Sequence, residues 1–299
     1  MEDSRGRFPN FLCIGAPRSG TTWLYQNLKK HPQAFVPENK EVSFFLPSSY
    51  RSNYYMGIAW YKSLFSFPND GQIKAWGELS PRYYFNEGTP ELIASLIPDI
   101  KLIFLLRHPV EMLYSLYMYH LKMYSYSIDF NRYKFHDYLD HHLVEPLGFY
   151  AKYLKNYYSF FPKDAILVSF YEDLKSDPVG DFKTISSFLA IDSSNVPQSV
   201  KEQVNTAIIP KNYGLHLLFS YLPRSFPFRK IINFESKYNQ IGYKERKSSD
   251  NYITPELFTR LIKAFASDIH ELETLLFHDL SHWFDYESLD TSMQRPTST

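Results

Sequence analysis

Three short groups of residues give this chain its chemical possibilities. The first is Gly15-Ala16-Pro17-Arg18-Ser19-Gly20-Thr21-Thr22-Trp23. Two glycines bracket an arginine and a serine, and two threonines follow. A tight turn ahead of a helix presents backbone N–H groups and a positive dipole end, which suits a phosphate or sulfate. Gly15 and Gly20 keep the G-x-x-x-x-G spacing of ATP-binding loops. Thr21 stands where those loops need the lysine that reaches the β- and γ-phosphates. The cation lies inside the loop instead, as Arg18, and an anionic tail shorter than a triphosphate fits that arrangement. The second group is Arg107-His108-Pro109 followed by Ser115. Proline suits the first turn of a helix, and Ser115 then falls about two turns in at ~3.6 residues per turn. An arginine at a strand end with a serine on the next helix can hold a second phosphate. The third is Glu38-Asn39-Lys40-Glu41-Val42-Ser43-Phe44-Phe45. On residue types alone, Glu41 reads as a surface carboxylate paired with Lys40.

The elements that must position these groups are legible as apolar runs. Phe11 to Ile14 predicts a first strand, Lys101 to Leu106 a second and Ala165 to Phe170 a third. Each is nearly all apolar, as strands covered on both faces are. Longer helical stretches separate them, so the fold class is α/β, a three-layer αβα arrangement with a central parallel sheet. The last helix begins at a Thr254 cap and Pro255. Leu257, Leu261, Phe265, Ile269, Leu272 and Leu276 then recur at mostly four-residue spacing. Residues 1–299 read as one domain, ordered from about 8 to 285 with a polar tail at 286–299. Aromatic-rich stretches at Phe44 to Phe67, Lys122 to Glu145 and Asn205 to Asn251 read as loops and short helices closing over a site.

Composition narrows the partners. The chain has 299 residues with 32 Lys+Arg against 32 Asp+Glu, a formal net charge of zero. That disfavours nucleic acid or a long sulfated polymer as the main partner, because such affinity rests on clustered cations. Cys13 is the single cysteine, so no internal disulfide forms, and within an apolar run it reads as a small buried hydrophobe. No signal-peptide or membrane-anchor pattern is present, and the expectation is a cytoplasmic protein with no integral membrane segment. No His/Cys/Asp/Glu spacing suggests a metal.

Pro17-Arg18-Ser19-Gly20-Thr21-Thr22-Trp23 resembles the 5′-phosphosulfate loop of sulfotransferases that use 3′-phosphoadenosine 5′-phosphosulfate (PAPS), whose cytosolic members show P-K-S-G-T-T-W. The resemblance implies that fold and a transfer of the sulfuryl group to a hydroxyl or amine. The acceptor would be a small or medium-sized metabolite, sugar or glycolipid, and the product adenosine 3′,5′-bisphosphate. It implies that Arg18 fills the lysine position, that Ser19, Gly20, Thr21 and Thr22 wrap the 5′-phosphate, and that Trp23 lies against adenine. Arg for Lys exchanges a compact point charge for a planar fork. The R-x-P-x-x-x-x-x-S form of Arg107 and Ser115 matches the family's 3′-phosphate motif.

Phe170-Tyr171-Glu172-Asp173-Leu174 resembles a further segment whose tyrosine lies near the adenine, and as a packing aromatic Tyr171 reads equally well. The basic run Lys244, Arg246 and Lys247 stands where the family has a late basic loop touching the 3′-phosphate, without that loop's glycine. The Lys40-Glu41 stretch resembles K-E-x-x-F-F of the glycosaminoglycan-type enzymes, which makes Glu41 the first candidate base. A carboxylate beside Phe44 and Phe45 is expected to be desolvated and its pKa raised. His120, on the helix after Ser115, is the second candidate base, and it also reads as a packing histidine. The family's E-K-x-P segment here reads Glu78-Leu79-Ser80-Pro81, so one expected lysine is replaced by Leu79. A P-loop kinase or nucleotidase and a non-catalytic nucleotide-binding protein are the alternatives, and self-association is compatible with all of these readings.

Overall fold

The longest uninterrupted apolar runs become the middle of a sheet. The computed structural model describes residues 6–47, 52–68, 71–123, 134–142, 145–202, 252–290 and 293–294. Its strands are Phe11–Gly15 (β1), Ala34–Phe35 (β2), Ala75–Leu79 (β3), Lys101–Leu106 (β4) and Ile166–Phe170 (β5). They form a five-stranded sheet in the order β2-β3-β1-β4-β5, and every pairing is parallel. Phe11 lies opposite Gly77 on one side and Lys101 on the other. Successive strands are therefore added on opposite sides of β1. A sheet that reverses direction in this way opens a crevice at the carboxyl ends of its central strands, and ligands of open α/β sheets gather there.

Helices are Thr21–Leu28 (α1), Gly57–Ser63 (α2), Thr89–Leu96 (α3), Pro109–Met123 (α4), Phe135–His142 (α5), Tyr150–Tyr158 (α6), Tyr171–Ser176 (α7), Pro178–Phe188 (α8) and Pro255–Leu276 (α9). The chain resolves into two compact units. One comprises Met1–His108, Phe149–Asn205 and Asp268–His278, and the other Pro109–Gly148, Thr206–Ser267 and Asp279–Thr299.

The first unit contains the sheet. On one face, Phe11, Cys13, Ile103 and Leu105 pack with Trp23, Leu24 and Leu28 of α1 and with Phe182 and Ile185 of α8. Period-two alternation sends the intervening residues to the opposite face. There Phe104 meets the rings of Tyr84 at 5.2 Å and Tyr150 at 6.2 Å, so α6 covers that side. Burying the whole of Phe11, Leu12, Ile103 and Phe104 is worth on the order of 2 kcal/mol per side chain.

The stretch from Phe44 to Phe67 is read on sequence as loops and short helices, and its described part folds into a short 3-10 turn and α2. Phe44 stacks on Tyr61 with ring centroids 4.3 Å apart, and Phe45, Phe65 and Tyr83 are fully buried around them. These aromatics are core. In the second unit, the rings of Tyr114 and Tyr117 on α4 pack against Phe135 of α5 at 5.3 and 5.4 Å. The cap of α9 forms as the sequence indicates, with the Leu257 N–H donating to Thr254 Oγ1 at 3.2 Å.

Candidate active site

The turn after β1 shows why its glycines are needed. A side chain on Gly15 would place its Cβ 2.6 Å from Cδ1 of Tyr84. Gly20 caps α1 at φ 93°, in the left-handed region that costs other residues roughly 1–2 kcal/mol. Its Cβ would stand 3.0 Å from Leu174 Cδ1. No side chain caps the N-terminus of α1, and no acidic residue occupies its first turn. The amides of Thr21 and Thr22 thus begin a helix whose positive end is uncompensated by carboxylate. Ser19 is fully buried and Thr21 is 4% exposed. By sign, such a helix end suits a small anion.

Arg18 adopts φ 62°. Few non-glycine residues tolerate that conformation, and it persists where surrounding contacts over-determine it. One such contact is visible: Nη1 of Arg107 donates to the Arg18 carbonyl at 3.2 Å. The guanidinium of Arg107 also lies over the Tyr171 ring, 4.4 Å from its centroid. The Tyr150 hydroxyl donates to the Arg107 carbonyl at 2.9 Å, and the neighbouring His108 N–H donates to Glu172 Oε1 at 2.7 Å. The structure thus brings Arg18, Arg107 and Tyr171 together at the ends of β1, β4 and β5. Tyr171 presents its face to an arginine, which accounts for an aromatic at that position.

Trp23 takes a different place from the one the resemblance implies. It is 5% exposed, its indole N–H donates to the Val200 carbonyl at 2.8 Å, and its ring packs edge-on to Phe182 at 6.1 Å. Its surroundings are those of a core residue, so adenine stacking is the expectation this packing supports least.

Glu41 stands on the segment between β2 and α2. Its side chain is 48% exposed, so the desolvation expected from Phe44 and Phe45 is not realised here. Those two rings turn inward while the carboxylate turns outward. Lys40 Nζ lies 3.2 Å from Glu41 Oε1 and 3.4 Å from Thr21 Oγ1. A single ammonium therefore spans the phosphate cradle and the candidate base. Sequence reasoning gave Lys40 only an ion-pairing part, and nothing in spacing signals the contact with Thr21.

Glu78 is a buried carboxylate that sequence reasoning missed. It is 1% exposed on β3, and burial pushes its pKa up to about 7 against the lowering effect of its hydrogen bonds. Leu79 is fully buried among the apolar residues under the sheet, where a lysine would be costly.

Ser115 and His120 both lie on α4 in the second unit. Ser115 is 9% exposed. His120 Nδ1 and the Tyr138 hydroxyl share a hydrogen bond at 2.9 Å, with their rings 5.6 Å apart. That pairing supports the packing reading of His120. Lys244, Arg246 and Lys247 lie outside the described residues. Among the described residues no group of three or more His, Cys, Asp or Glu side chains is placed to hold a metal, and no helix is long and apolar enough to cross a membrane.

Comparison with known proteins gives a consistent picture. The family model described as "Sulfotransferase domain" matches residues 8–273. The human bifunctional heparan sulfate N-deacetylase/N-sulfotransferase 2 is 27% identical over 207 residues, which cover 64% of this chain and 23% of that protein. Human heparan sulfate glucosamine 3-O-sulfotransferase 6 is 30% identical over 196 residues, 62% of this chain and 54% of that protein. Both matches leave much of the relatives' length without a counterpart. The crystal structure of a sulfotransferase from Alicyclobacillus acidocaldarius superposes with a TM-score of 0.66 at 24% identity, covering 93% of this chain and all of that one.

Proposed function

The chain belongs to the sulfotransferase domain family, and from that premise we propose that it transfers a sulfuryl group from PAPS to a hydroxyl or amine of an acceptor, releasing adenosine 3′,5′-bisphosphate. The relatives named for heparan sulfate favour a carbohydrate acceptor, an amino sugar above all. The observation that carries the reading is the convergence of Arg18, Arg107 and the Gly20-capped helix at the ends of the neighbouring strands β1 and β4, with Lys40 linking Thr21 to Glu41. The cradle fits the donor by chemistry: one helix N-terminus and two separate guanidinium groups suit two separate phosphates.

In this reading Ser19, Gly20, Thr21 and Thr22 hold the 5′-phosphate and Arg107 the 3′-phosphate, with Ser115 assigned to the same group by its motif. PAPS supplies an activated sulfuryl group whose leaving group is already a phosphate. Arg18 and Lys40 are assigned to the negative charge that grows on the departing oxygen, because a cation held there in advance lowers the barrier. Glu41 accepts the proton of the acceptor hydroxyl or amine. No step calls for a metal. Residues 1–299 act as one cytoplasmic catalytic domain, the family match running through segments of both compact units.

A thermal-shift comparison tests the cofactor. Adenosine 3′,5′-bisphosphate without magnesium is expected to raise Tm, and ATP with magnesium to change it little. The reverse order excludes the PAPS reading and favours a P-loop kinase or nucleotidase. Nucleotide binding with neither sulfate transfer nor PAPS hydrolysis marks a non-catalytic binder.

A further inference from the structure

Glu78 takes no part in the reading above, yet it is the most densely hydrogen-bonded carboxylate beside the site. Tyr61 and Tyr83 donate their hydroxyls to Oε1 at 3.1 and 2.6 Å. Ser80 Oγ donates to Oε2 at 2.5 Å, and the backbone N–H of Val42 donates to the same carboxylate. An ionised carboxylate has about four acceptor sites, and four donors are present.

These partners lead to a single stretch of chain. The Ser43 N–H donates to Ser80 Oγ at 2.9 Å, and the Phe45 N–H donates to the Tyr83 hydroxyl at 3.2 Å. Of the four amides that follow Glu41, those of Val42, Ser43 and Phe45 end on Glu78 or on a hydroxyl that Glu78 orients. From the other side, Asn53 Nδ2 donates to the Val42 carbonyl at 2.8 Å, and Thr89 Oγ1 to the Phe45 carbonyl at 2.6 Å. Ser43 itself adopts φ 55°, a conformation a serine holds only when its surroundings impose it. The same turn is docked on the strand that leads to the phosphate cradle. There the Ser80 N–H donates to the Cys13 carbonyl and the Tyr84 N–H to the Ile14 carbonyl, each at 3.0 Å.

We propose that Glu78 is a positioning residue: through Val42, Ser80 and Tyr83 its carboxylate fixes the 42–45 backbone, and so sets where Glu41 and Lys40 stand relative to the cradle. This rests on the reading of Glu41 as base. A buried carboxylate whose recorded partners are hydroxyls and an amide, with no cation among them, is costly to keep. The charge is also state-sensitive. The titratable groups bonded to Glu78 are Tyr61 from α2 and Tyr83 from the turn after β3, while the Cys13 thiol on β1 lies with Leu79 on the other face of the sheet. Burial pushes both phenols well above their ordinary range, so they stay neutral near pH 7. Glu78, raised to about 7, is the one of the three that changes charge there. Protonation turns one acceptor site into a donor, and one of the four contacts is then lost.

The test uses the full chain as wild type and as Glu78→Gln, Ser80→Ala and Glu41→Gln. Ser80→Ala removes the relay to Ser43 while leaving the carboxylate, and serves if Glu78→Gln fails to fold. Amide hydrogen exchange over residues 41–47 is expected to speed at least tenfold in Glu78→Gln and Ser80→Ala, with exchange in β1 and β4 unchanged. With labelled PAPS and an unsubstituted glucosamine tetrasaccharide as probe, kcat is expected to fall at least tenfold. The KM for PAPS and the Kd for adenosine 3′,5′-bisphosphate should stay within twofold. A limb of the kcat profile near pH 7 should vanish in Glu78→Gln alone. Unchanged exchange in both variants overturns the proposal, as does an unchanged kcat when Glu41→Gln is inactive. Normal turnover by Glu41→Gln, by contrast, sinks the base assignment and leaves the exchange result to decide whether Glu78 holds the segment.

Discussion

For the proposed nucleotide site, the residue-scale predictions fall on Tyr171 and Arg107. The guanidinium rests 4.4 Å over the phenol ring, with Nη1 tied to the Arg18 carbonyl. A charge-assisted contact to phosphate is worth about 1.5–3 kcal/mol, so Arg107→Ala is expected to weaken adenosine 3′,5′-bisphosphate binding by roughly 10–150-fold. Tyr171 acts through the ring face, which phenylalanine keeps. Tyr171→Phe should therefore bind as wild type, while Tyr171→Ala should lose about 1 kcal/mol, roughly fivefold. Titration calorimetry on the three variants checks both. Equal losses in Tyr171→Phe and Tyr171→Ala would assign the contribution to the hydroxyl instead. Sequence alone left Tyr171 between adenine contact and packing, because a motif names a residue without saying which face of it is used. Trp23 and Lys40 were opaque for the same reason. The indole is held by Val200, distant in sequence, and the ammonium by Thr21 across a turn.

Elements made of one kind of residue were the legible ones. β1, β4 and β5 are nearly all apolar, and α9 carries a mostly four-residue period with its own cap. β3 was not legible, since Gly77 and Glu78 interrupt Ala75–Leu79 and its polar member is satisfied by tyrosines brought from α2 and from the following turn, together with Ser80 and the Val42 N–H. β2 is two residues long and exists through its partner. The turn between β1 and α1 was legible through Gly20, whose φ of 93° makes Gly20→Ala cost roughly 1–2 kcal/mol. A lowered urea midpoint together with weakened bisphosphate binding is the expected result, and wild-type values for both would show that the cap is not needed. The junction of β5 with α8 gives a pH prediction. Ser169 Oγ donates to Asp181 Oδ1 at 2.6 Å, and burial pushes the Asp181 pKa up to about 6. The folded state therefore holds this proton to a higher pH than the unfolded chain does. Its contribution is fully present below about pH 4 and is lost as pH rises through about 6, on the order of 2 kcal/mol in all. Asp181→Asn carries no such proton. Urea unfolding at pH 4.5 and 7.5 should show wild type losing stability relative to Asp181→Asn on going to the higher pH, and a parallel pair of curves would contradict the burial argument.

At the scale of the whole molecule, the balance of charge separates this chain from what its relatives' names suggest. Those relatives are named for heparan sulfate, a polyanion, yet here 32 basic residues meet 32 acidic ones. Affinity for a long polyanion needs cations spread along a track, and it falls steeply with salt as counterions are released. In the proposed reading Arg18, Lys40 and Arg107 meet the negative charge that PAPS brings, and recognition of the acceptor is left to local contacts with a few sugar units. The expected outcome is that a glucosamine tetrasaccharide and the corresponding polymer have KM values, per acceptor site, within about threefold of each other. Raising salt from 50 to 200 mM should move either value by less than tenfold, whereas a ligand held by 6–10 phosphate-like contacts loses about 10³–10⁵. The same titration with PAPS as the varied substrate should be the steeper one, because its phosphates are what the clustered cations meet. If the polymer instead binds far more tightly than the tetrasaccharide and loses that advantage in salt, a cationic track exists that the formal charge conceals, and the proposed acceptor class shifts from short sugars to the chain itself.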